Sequence, residues 1–259
     1  MPDATSVKGT RPEGSQSDAD ASRKVREMFT QIAPRYDLLN HLLSLQFDRL
    51  WRARVARLLR PILARPDALA LDLCCGTGDL ALSLARAGKA RVIGADFAHP
   101  MLIRANEKSA AARAGSNSAE MHAVGFLEAD ALCLPFADTS FDLVTSAFGF
   151  RNLVDYEAGL REIRRVLKPG ATLAILEFTE PPDNLLGNAY RWYFRKILPR
   201  IGAFVSGDRN AYTYLPASVS RFPSPLDLVS RMKSAGYSEV YFRIWTLGAV
   251  ALHTAVRPS

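Results

Sequence analysis

The chain has 259 residues, 48% of them apolar, and a formal net charge of +7. This composition excludes a disordered chain and suits one large α/β domain with appended segments. The sequence has no apolar run of the ~18 residues that a membrane-spanning helix needs, and its polar start lacks the apolar stretch of a secretory signal.

The first part of the chain predicts a polar tail followed by helices. Residues 1–22 are rich in Ser, Asp, Pro and Gly, and we expect them to form a disordered tail. Apolar side chains then recur at helical spacing in two stretches, 25–32 and 47–59, with Pro34 between them. This spacing predicts that residues 23–66 form an N-terminal helical lid.

From residue 67 onwards, short apolar runs alternate with helical patterns. This alternation predicts an α/β domain of the Rossmann-like class, with a mostly parallel seven-stranded sheet and helices on both faces. Its two parts are residues 67–180 and 226–259. The predicted elements, in chain order, are a strand at 68–74, a helix at 80–87, a strand at 91–95, a helix at 100–114, strands at 125–129 and 141–147, a helix at 156–167, a strand at 171–178, a helix at 226–235, and strands at 238–245 and 249–256.

Residues 181–225 interrupt the alternation, and we interpret them as an inserted lid or substrate segment. Positive charge is concentrated here and near the start of the chain: residues 185–221 hold six Lys/Arg against one Asp/Glu, and residues 23–65 hold ten against three. Such segments are compatible with nucleic acid, with an anionic membrane, or with ordinary solvent-exposed helices. The aromatic and basic stretch 190–204 is equally typical of a lid packed on the core and of a segment resting on lipid.

The cysteines indicate the compartment. Cys74 and Cys75 are adjacent, and Cys133 leaves the total odd, which excludes a disulfide framework and fits the reducing cytoplasm. The Cys/His spacing does not match a zinc site, so we expect no metal.

The loop after the first strand is the strongest functional signal. Gly76 and Gly78 permit positive φ angles and a close approach of the backbone to a ligand. The spacing also matches a dinucleotide fingerprint, in which phosphate sits at the helix N-terminus. Asp79 stands at that place and would repel phosphate, whereas the sulfonium and ammonium groups of S-adenosylmethionine suit carboxylates. Asp72 adds a second carboxylate beneath the loop, and Thr77 offers an amide and a hydroxyl.

Polar residues follow the next strands, where ligands bind in such folds. Asp96, at the end of the second strand, is expected to accept the ribose hydroxyls. Asp130 and Ala131, after the third strand, are expected to contact adenine. Each of these residues, taken singly, is also compatible with an ordinary loop or helix cap.

Ten segments of the chain carry a further signal. They are FTQIAPRYDLLN (29–40), LWR (50–52), LDLCCGTGD (71–79), ADALCLPF (129–136), FGFRN (148–152), RVLKPG (165–170), LEF (176–178), LPRIG (198–202), YL (214–215) and VALH (250–253). With these segments the chain resembles the demethylmenaquinone and ubiquinone-pathway C-methyltransferases over about residues 25–256.

The resemblance implies that Thr77, Asp96, Asp130 and Ala131 contact the cofactor, and that Arg151 and Asn152 lie in the catalytic region. Many members have Ser at position 147. Here Ala147 offers only its backbone, and the adjacent Ser146 is a candidate substitute.

The resemblance further implies methylation of a ring carbon of a prenylated hydroquinone in menaquinone or ubiquinone biosynthesis. We expect Arg151 to stabilise a phenolate and Asn152 to orient it or to hold a water molecule. Candidate partners from the lids are Asp37, Tyr36, Tyr212 and Tyr214. His41, often Asp in the family, is not expected to act as a base, and His253 is more typical of a buried histidine than of a base.

Other readings remain open at this point. They include a methyltransferase for another small aromatic or lipid acceptor and, less well supported, one for nucleic acid. The Pro-Pro-aromatic motif of DNA amino-methylating enzymes is missing after the fourth strand, where AFGFRN stands. We expect a prenylated quinol as substrate, peripheral contact with an anionic membrane, no nucleic acid, and a homodimer as one option for assembly.

Overall fold

Runs of buried apolar residues form the strands of a central sheet. The computed structural model describes residues 8–37, 44, 46–114, 124–179 and 218–259. Its strands are β1 (Leu69–Leu73), β2 (Arg91–Asp96), β3 (Gly125–Glu128), β4 (Phe141–Ala147), β5 (Leu167–Phe178), β6 (Ser238–Trp245) and β7 (Val250–Val256).

The sheet has seven strands in the order β3-β2-β1-β4-β5-β7-β6. Neighbours from β3 to β5 are parallel, and β7 runs antiparallel to both β5 and β6. A short 3-10 turn, Thr246–Gly248, joins β6 to β7, and so short a connection can only pair strands antiparallel. The predicted mostly parallel, seven-stranded α/β sheet is confirmed.

Helices cover both faces of the sheet. One face packs against α2, α3 and α4, and the other packs against α6 and α7. The described helices are α1 (Asp18–Ile32), α2 (Phe47–Leu58), α3 (Arg60–Leu63), α4 (Asp79–Ala87), α5 (His99–Ala114), α6 (Tyr156–Val166) and α7 (Pro225–Ser234).

The strand order determines where a ligand can bind. From β1, the chain crosses outward to β2 and β3 on one side and later to β4 and β5 on the other. The carboxyl ends of these parallel strands share one edge of the sheet, and a crevice opens where the order reverses, between β1 and β4. Most of the predicted site residues lie at or just after the ends of these strands, whereas Tyr36 and Asp37 precede the sheet in the sequence.

The prediction of a disordered tail is wrong for residues 8–22. Helix α1 begins at Asp18, because the Ser17 side chain accepts from the Asp20 amide at its N-terminus. Before it, the Thr10 amide donates to the carbonyl of Leu153 at 2.7 Å, and the Lys8 carbonyl accepts from the Tyr156 amide. Composition could not reveal this pairing with a distant turn.

Two smaller differences concern proline and a strand start. The sequence predicts that Pro61 and Pro66 mark the end of the second N-terminal helix. In the structure Pro61 lies in the first turn of α3, a position where its missing N–H costs no hydrogen bond. Strand β5 begins at Leu167, which pairs with Phe141, so it is longer than expected. The predicted insertion lies outside the described residues except for 218–225.

Within the described ranges, no helix combines the length and the hydropathy that crossing a bilayer requires.

The core beneath α6 generates a stability prediction. Leu160 is fully buried, whereas Leu226 is 70% exposed on α7. Leu160→Ala should lower the free energy of unfolding by about 2–5 kcal/mol, because it removes buried methyl groups and leaves a cavity. Leu226→Ala is the matched control and should change it little. Urea unfolding followed by circular dichroism measures both; equal losses would contradict this description of the core.

Candidate cofactor and active site

The loop between β1 and α4 is a tight turn held close to its neighbours. Gly76 and Gly78 have φ angles of 53° and 82°, which glycine adopts without strain. A Cβ atom at Gly78 would stand 2.8 Å from the Phe126 ring, and one at Gly149 would stand 2.3 Å from the Cβ of Cys74. Larger side chains therefore cannot replace either of these glycines without moving the backbone.

The Asp96 carboxylate ties this loop to the end of β2. Its Oδ2 accepts from the Gly76 amide at 2.8 Å, and its Oδ1 accepts from the Ala98 amide at 2.9 Å. The side chain is buried, and burial raises its pKa despite these two hydrogen bonds. A carboxylate oxygen accepts more than one hydrogen bond, so Asp96 keeps acceptor capacity towards the cleft beside it.

A cleft of about 670 Å³, its open mouth included, lies at the carboxyl edge of the sheet. The cleft brings together six of the predicted site residues: Tyr36, Gly76, Asp96, Asp130, Ala131 and Asn152. Apolar side chains fill the rest of its wall, among them Phe29, Phe97, Met101, Leu132 and Phe148.

A smaller pocket of about 350 Å³ lies beside the same loop. It is lined by four more predicted residues, Asp72, Thr77, Asp79 and Ala147, together with Tyr36 and Arg52. The predicted site thus divides into a larger, mostly apolar cleft and a smaller, polar pocket, with Tyr36 and Phe148 lining both.

Asp72 is the buried carboxylate of the small pocket. Thr145 donates to its Oδ1 at 2.9 Å, while its Oδ2 has no hydrogen-bond partner among the described residues. Burial raises the pKa of Asp72 from 3.8 to about 7. Near neutral pH the group is therefore divided between its protonated and ionised forms, and a cation placed beside Oδ2 would favour the ionised form.

Two cations that the sequence analysis missed engage the carboxylates of this pocket. Lys108, on α5, contacts Asp37 and Asp79 at 2.7 Å each and donates to the Thr77 hydroxyl at 2.8 Å. Arg52, buried in α2, pairs with Asp79 at 3.2 Å. Asp79 is thus a paired carboxylate. The partners come from separate helices, so no local sequence pattern identifies them.

Asp37, a candidate from the predicted N-terminal lid, contacts the glycine loop. Its Oδ1 accepts from the Thr77 hydroxyl at 2.5 Å, and its Oδ2 pairs with Lys108. Tyr36 packs over the loop: its ring stands 3.4 Å from where a Cβ of Gly76 would be. Both residues therefore lie at the predicted site, about 40 residues before the loop in the sequence.

Arg151 is placed differently from the expectation. Its guanidinium is buried and pairs with Glu177 of β5 at 2.9 Å, while its backbone amide donates to the same carboxylate at 3.0 Å. The cleft wall includes Asn152 but not Arg151. Arg151 therefore fastens the 3-10 turn Phe150–Asn152 to β5 through Glu177. Asp155, four residues after Arg151, caps α6 and pairs with Lys8.

Ser146 is also placed differently. It is 1% exposed, its Oγ lacks a hydrogen-bond partner among the described residues, and it lines neither the cleft nor the small pocket. Ala147 does line the small pocket. The proposed substitution of Ser146 for a serine at 147 is therefore not supported by this geometry, because successive strand residues point to opposite faces.

His253 lines neither the cleft nor the small pocket, whereas Cys74 and Cys75 line the small pocket. His253 stacks on Phe242, and its Nε2 lies 3.1 Å from the Pro225 carbonyl. Burial lowers its pKa to about 4, so it is a neutral, structural histidine. Burial raises the pKa of the Cys74 and Cys75 thiols, which fits packing rather than nucleophilic chemistry. His41, Tyr212 and Tyr214 lie outside the described residues.

Known proteins similar to this chain are methyltransferases. Demethylmenaquinone methyltransferase of Thermus thermophilus is 50% identical over 232 residues, covering 89% of this chain and 100% of that protein. Ubiquinone/menaquinone biosynthesis C-methyltransferase UbiE of Geobacter sulfurreducens is 39% identical over 237 residues, covering 91% of this chain and 89% of that protein.

A solved structure shows the same fold. A SAM-dependent methyltransferase of Thermotoga maritima, described as a possible histamine N-methyltransferase, superposes with a TM-score of 0.60 at 19% identity; the match covers 90% of this chain and 99% of that one. The model of one family matches residues 17–257, nearly all of the chain. On this match and on the identity to full-length relatives, the chain belongs to the ubiE/COQ5 methyltransferase family.

Proposed function

We propose that the protein methylates a ring carbon of a prenylated hydroquinone: demethylmenaquinol, 2-polyprenyl-6-methoxy-1,4-benzoquinol, or both. Membership of the family makes it an S-adenosylmethionine-dependent C-methyltransferase of quinone biosynthesis. The observation that carries the choice of substrate is the 50% identity to a demethylmenaquinone methyltransferase over that protein's whole length.

The residues of the two pockets fit S-adenosylmethionine. The fit rests on the unpartnered Oδ2 of Asp72, which a bound ammonium group would satisfy, and on the close glycine loop above it. Asp96 would hold the ribose hydroxyls, and Asp130 with the Ala131 amide would hold adenine. Thr77 and Asp79 complete the end that takes the amino-acid part. The cofactor supplies an already activated methyl group, so the protein needs no nucleophile of its own.

The acceptor ring fits the apolar part of the large cleft. Phe29, Met101 and Phe148 offer flat, apolar contacts there, and aromatic rings pack well on such surfaces. Asn152 is the polar side chain on this wall that is placed to orient a ring hydroxyl. A phenol has a pKa of about 10, so the site must assist its ionisation. Asp37 and Tyr36 are the candidates for that role.

Arg151 acts in this proposal as a positioning residue. Its pairing with Glu177 fixes the turn that carries Asn152. The buried positive charge is compensated by Glu177, which leaves the cleft wall itself apolar. Misplacing a substrate-orienting group by about 1 Å lowers turnover on the order of a hundredfold.

We also propose that the protein works in the cytoplasm and contacts the membrane peripherally. A prenyl tail partitions into the bilayer, so the enzyme must meet its substrate at a lipid surface. The stretch 190–204, which the sequence analysis singled out for this contact, lies outside the described residues.

The substrate proposal is tested by incubating the protein with methyl-labelled S-adenosylmethionine and each of the two quinols. Labelled product should form with at least one of them. Transfer to neither quinol, by a preparation that binds S-adenosylmethionine, would refute the substrate and leave the cofactor assignment intact.

Asp72 generates a pH prediction. The folded chain keeps a proton on Asp72 up to about pH 7, whereas the unfolded chain loses it near pH 4, so stability falls as the pH rises through this window. Asp72→Asn lacks this loss. Between pH 5 and pH 8 its free energy of unfolding should rise relative to wild type by about 2.5 kcal/mol.

Urea unfolding at the two pH values measures this change. Asp67→Asn is the control, since the Asp67 side chain is 83% exposed. Its free energy of unfolding should differ from that of wild type by the same amount at both pH values. If the difference in free energy of unfolding between Asp72→Asn and wild type does not change with pH, Asp72 is not protonated in the folded chain. If Asp72 holds the ammonium group, cofactor affinity in the wild type should also increase as the pH passes 7.

Arg151→Ala should lower kcat on the order of a hundredfold while cofactor affinity stays within a few fold of wild type. It also leaves Glu177 buried without its cation, which costs about 3–5 kcal/mol. The variant Arg151→Met/Glu177→Met should regain stability, because no unpaired charge remains, but not turnover. Arg161→Ala, on the exposed face of α6, is the control. Wild-type kcat in both variants would remove the pair from the mechanism.

A further inference from the structure

Helix α2 has an apolar inner face and an unusual outer face. The inner residues Trp51 and Val55 are buried in the core. The outer face exposes large apolar side chains at helical spacing: Phe47 is 43% exposed, Leu50 60% and Leu58 40%. A soluble helix usually presents polar side chains on that side, so this second apolar face requires a partner or a function.

The turn between β6 and β7 continues this surface. Trp51 donates to the Thr246 hydroxyl at 2.8 Å, and the Arg54 guanidinium lies 4.7 Å from the centre of the Trp245 ring. Leu247, which follows Thr246, is 71% exposed and has a φ angle of 55°. A bulky residue in this left-handed conformation is an outlier that surrounding structure must hold in place, and such outliers concentrate at functional sites.

Arginines surround these apolar side chains. They are Arg49, Arg54, Arg57 and Arg60 on α2 and α3, and Arg243 on β6; all five are exposed. Within the described residues, no ion pair joins any of the five to a carboxylate. The acidic residue of α2, Asp48, is buried and engaged by Ser44 and Arg52. The surface is therefore apolar and positively charged at once.

We propose that this surface, formed by the outer face of α2 and the turn Thr246–Gly248, docks the protein on an anionic phospholipid bilayer. Helices that lie in the membrane interface combine apolar side chains with Lys or Arg in this way, and the negative surface potential of such a membrane attracts each of these arginines. The proposal rests on the proposed prenylated substrate, which gives the protein a reason to reach lipid.

The position of the surface fits the delivery of a prenylated molecule. On its inner side, Trp51 packs against Phe148 and Phe178, with ring centres 5.9 Å and 6.1 Å apart, and Phe148 lines the large cleft. The lipid-facing side chains are thus about one helix diameter, roughly 10 Å, from the cleft wall.

A second copy of the chain fits this surface less well. In a two-fold symmetric dimer the same patch meets itself, which would bring the arginines of both copies together without intervening carboxylates. Such like-charge juxtaposition disfavours association, whereas anionic lipid neutralises it.

Vesicle co-sedimentation of the full-length protein tests the proposal. Wild type should bind vesicles containing about one-third phosphatidylglycerol, bind pure phosphatidylcholine weakly, and dissociate as salt screens the charges. Leu50→Glu/Leu247→Glu and Arg49→Glu/Arg57→Glu should each weaken binding at least about tenfold, given roughly fivefold per interfacial arginine. Ile103→Glu and Lys233→Glu, which change exposed residues on α5 and α7, are the matched controls and should bind like wild type.

Three results would overturn the proposal: no binding of wild type to anionic vesicles, unchanged binding of both patch variants, or a patch variant that turns a dimer into a monomer in analytical ultracentrifugation while still binding lipid. The last result would assign the surface to a second copy. Methyl transfer to a short-chain, water-soluble quinol should be unaffected by the patch variants. If the wild-type protein does not methylate this quinol, the proposed function is refuted, whereas the result for vesicle binding still stands.

Discussion

The hydrogen bonds of Asp96 are the constraint on which the rest of the site depends. One carboxylate holds the amide of Gly76 in the loop and the amide of Ala98 just before α5. Burying this charge is costly, and the two amides offset the cost. The loop position in turn determines where the turn after β4 can lie, since Gly149 packs directly on Cys74. The glycine loop and the turn after β4 therefore pack directly against each other.

The carboxylates around the loop differ in charge state because their surroundings differ. Asp79 lies between Lys108 and Arg52 and is neutralised by them. Asp72, only a few residues earlier, is buried and accepts from the Thr145 hydroxyl, and burial raises its pKa to about 7. A cationic ligand would thus meet one carboxylate that is already compensated and one that is poised to ionise.

A cluster of aromatic rings connects the cleft with the protein's outer surface. Phe148 packs on Phe178, and Trp51 packs on both. Beneath the cluster, the pair of Arg151 and Glu177 holds the 3-10 turn Phe150–Asn152 to β5. Helix α2 is therefore both a wall of the active-site region and, in our proposal, the part of the protein that meets the membrane.

The sequence by itself determined the α/β architecture, the cofactor loop and the carboxylates at successive strand ends. These features follow from local periodicity and turn chemistry, which are readable over a few residues. The order of helix α1 was missed because composition does not reveal a cap or a backbone pairing with Leu153. Only the tertiary structure decided which charges meet. Lys108 pairs with Asp79, which is 29 residues earlier in the sequence. Arg151 pairs with Glu177, which is 26 residues later. It also decided the protonation of Asp72, because burial is a property of the packed chain and not of any segment of it.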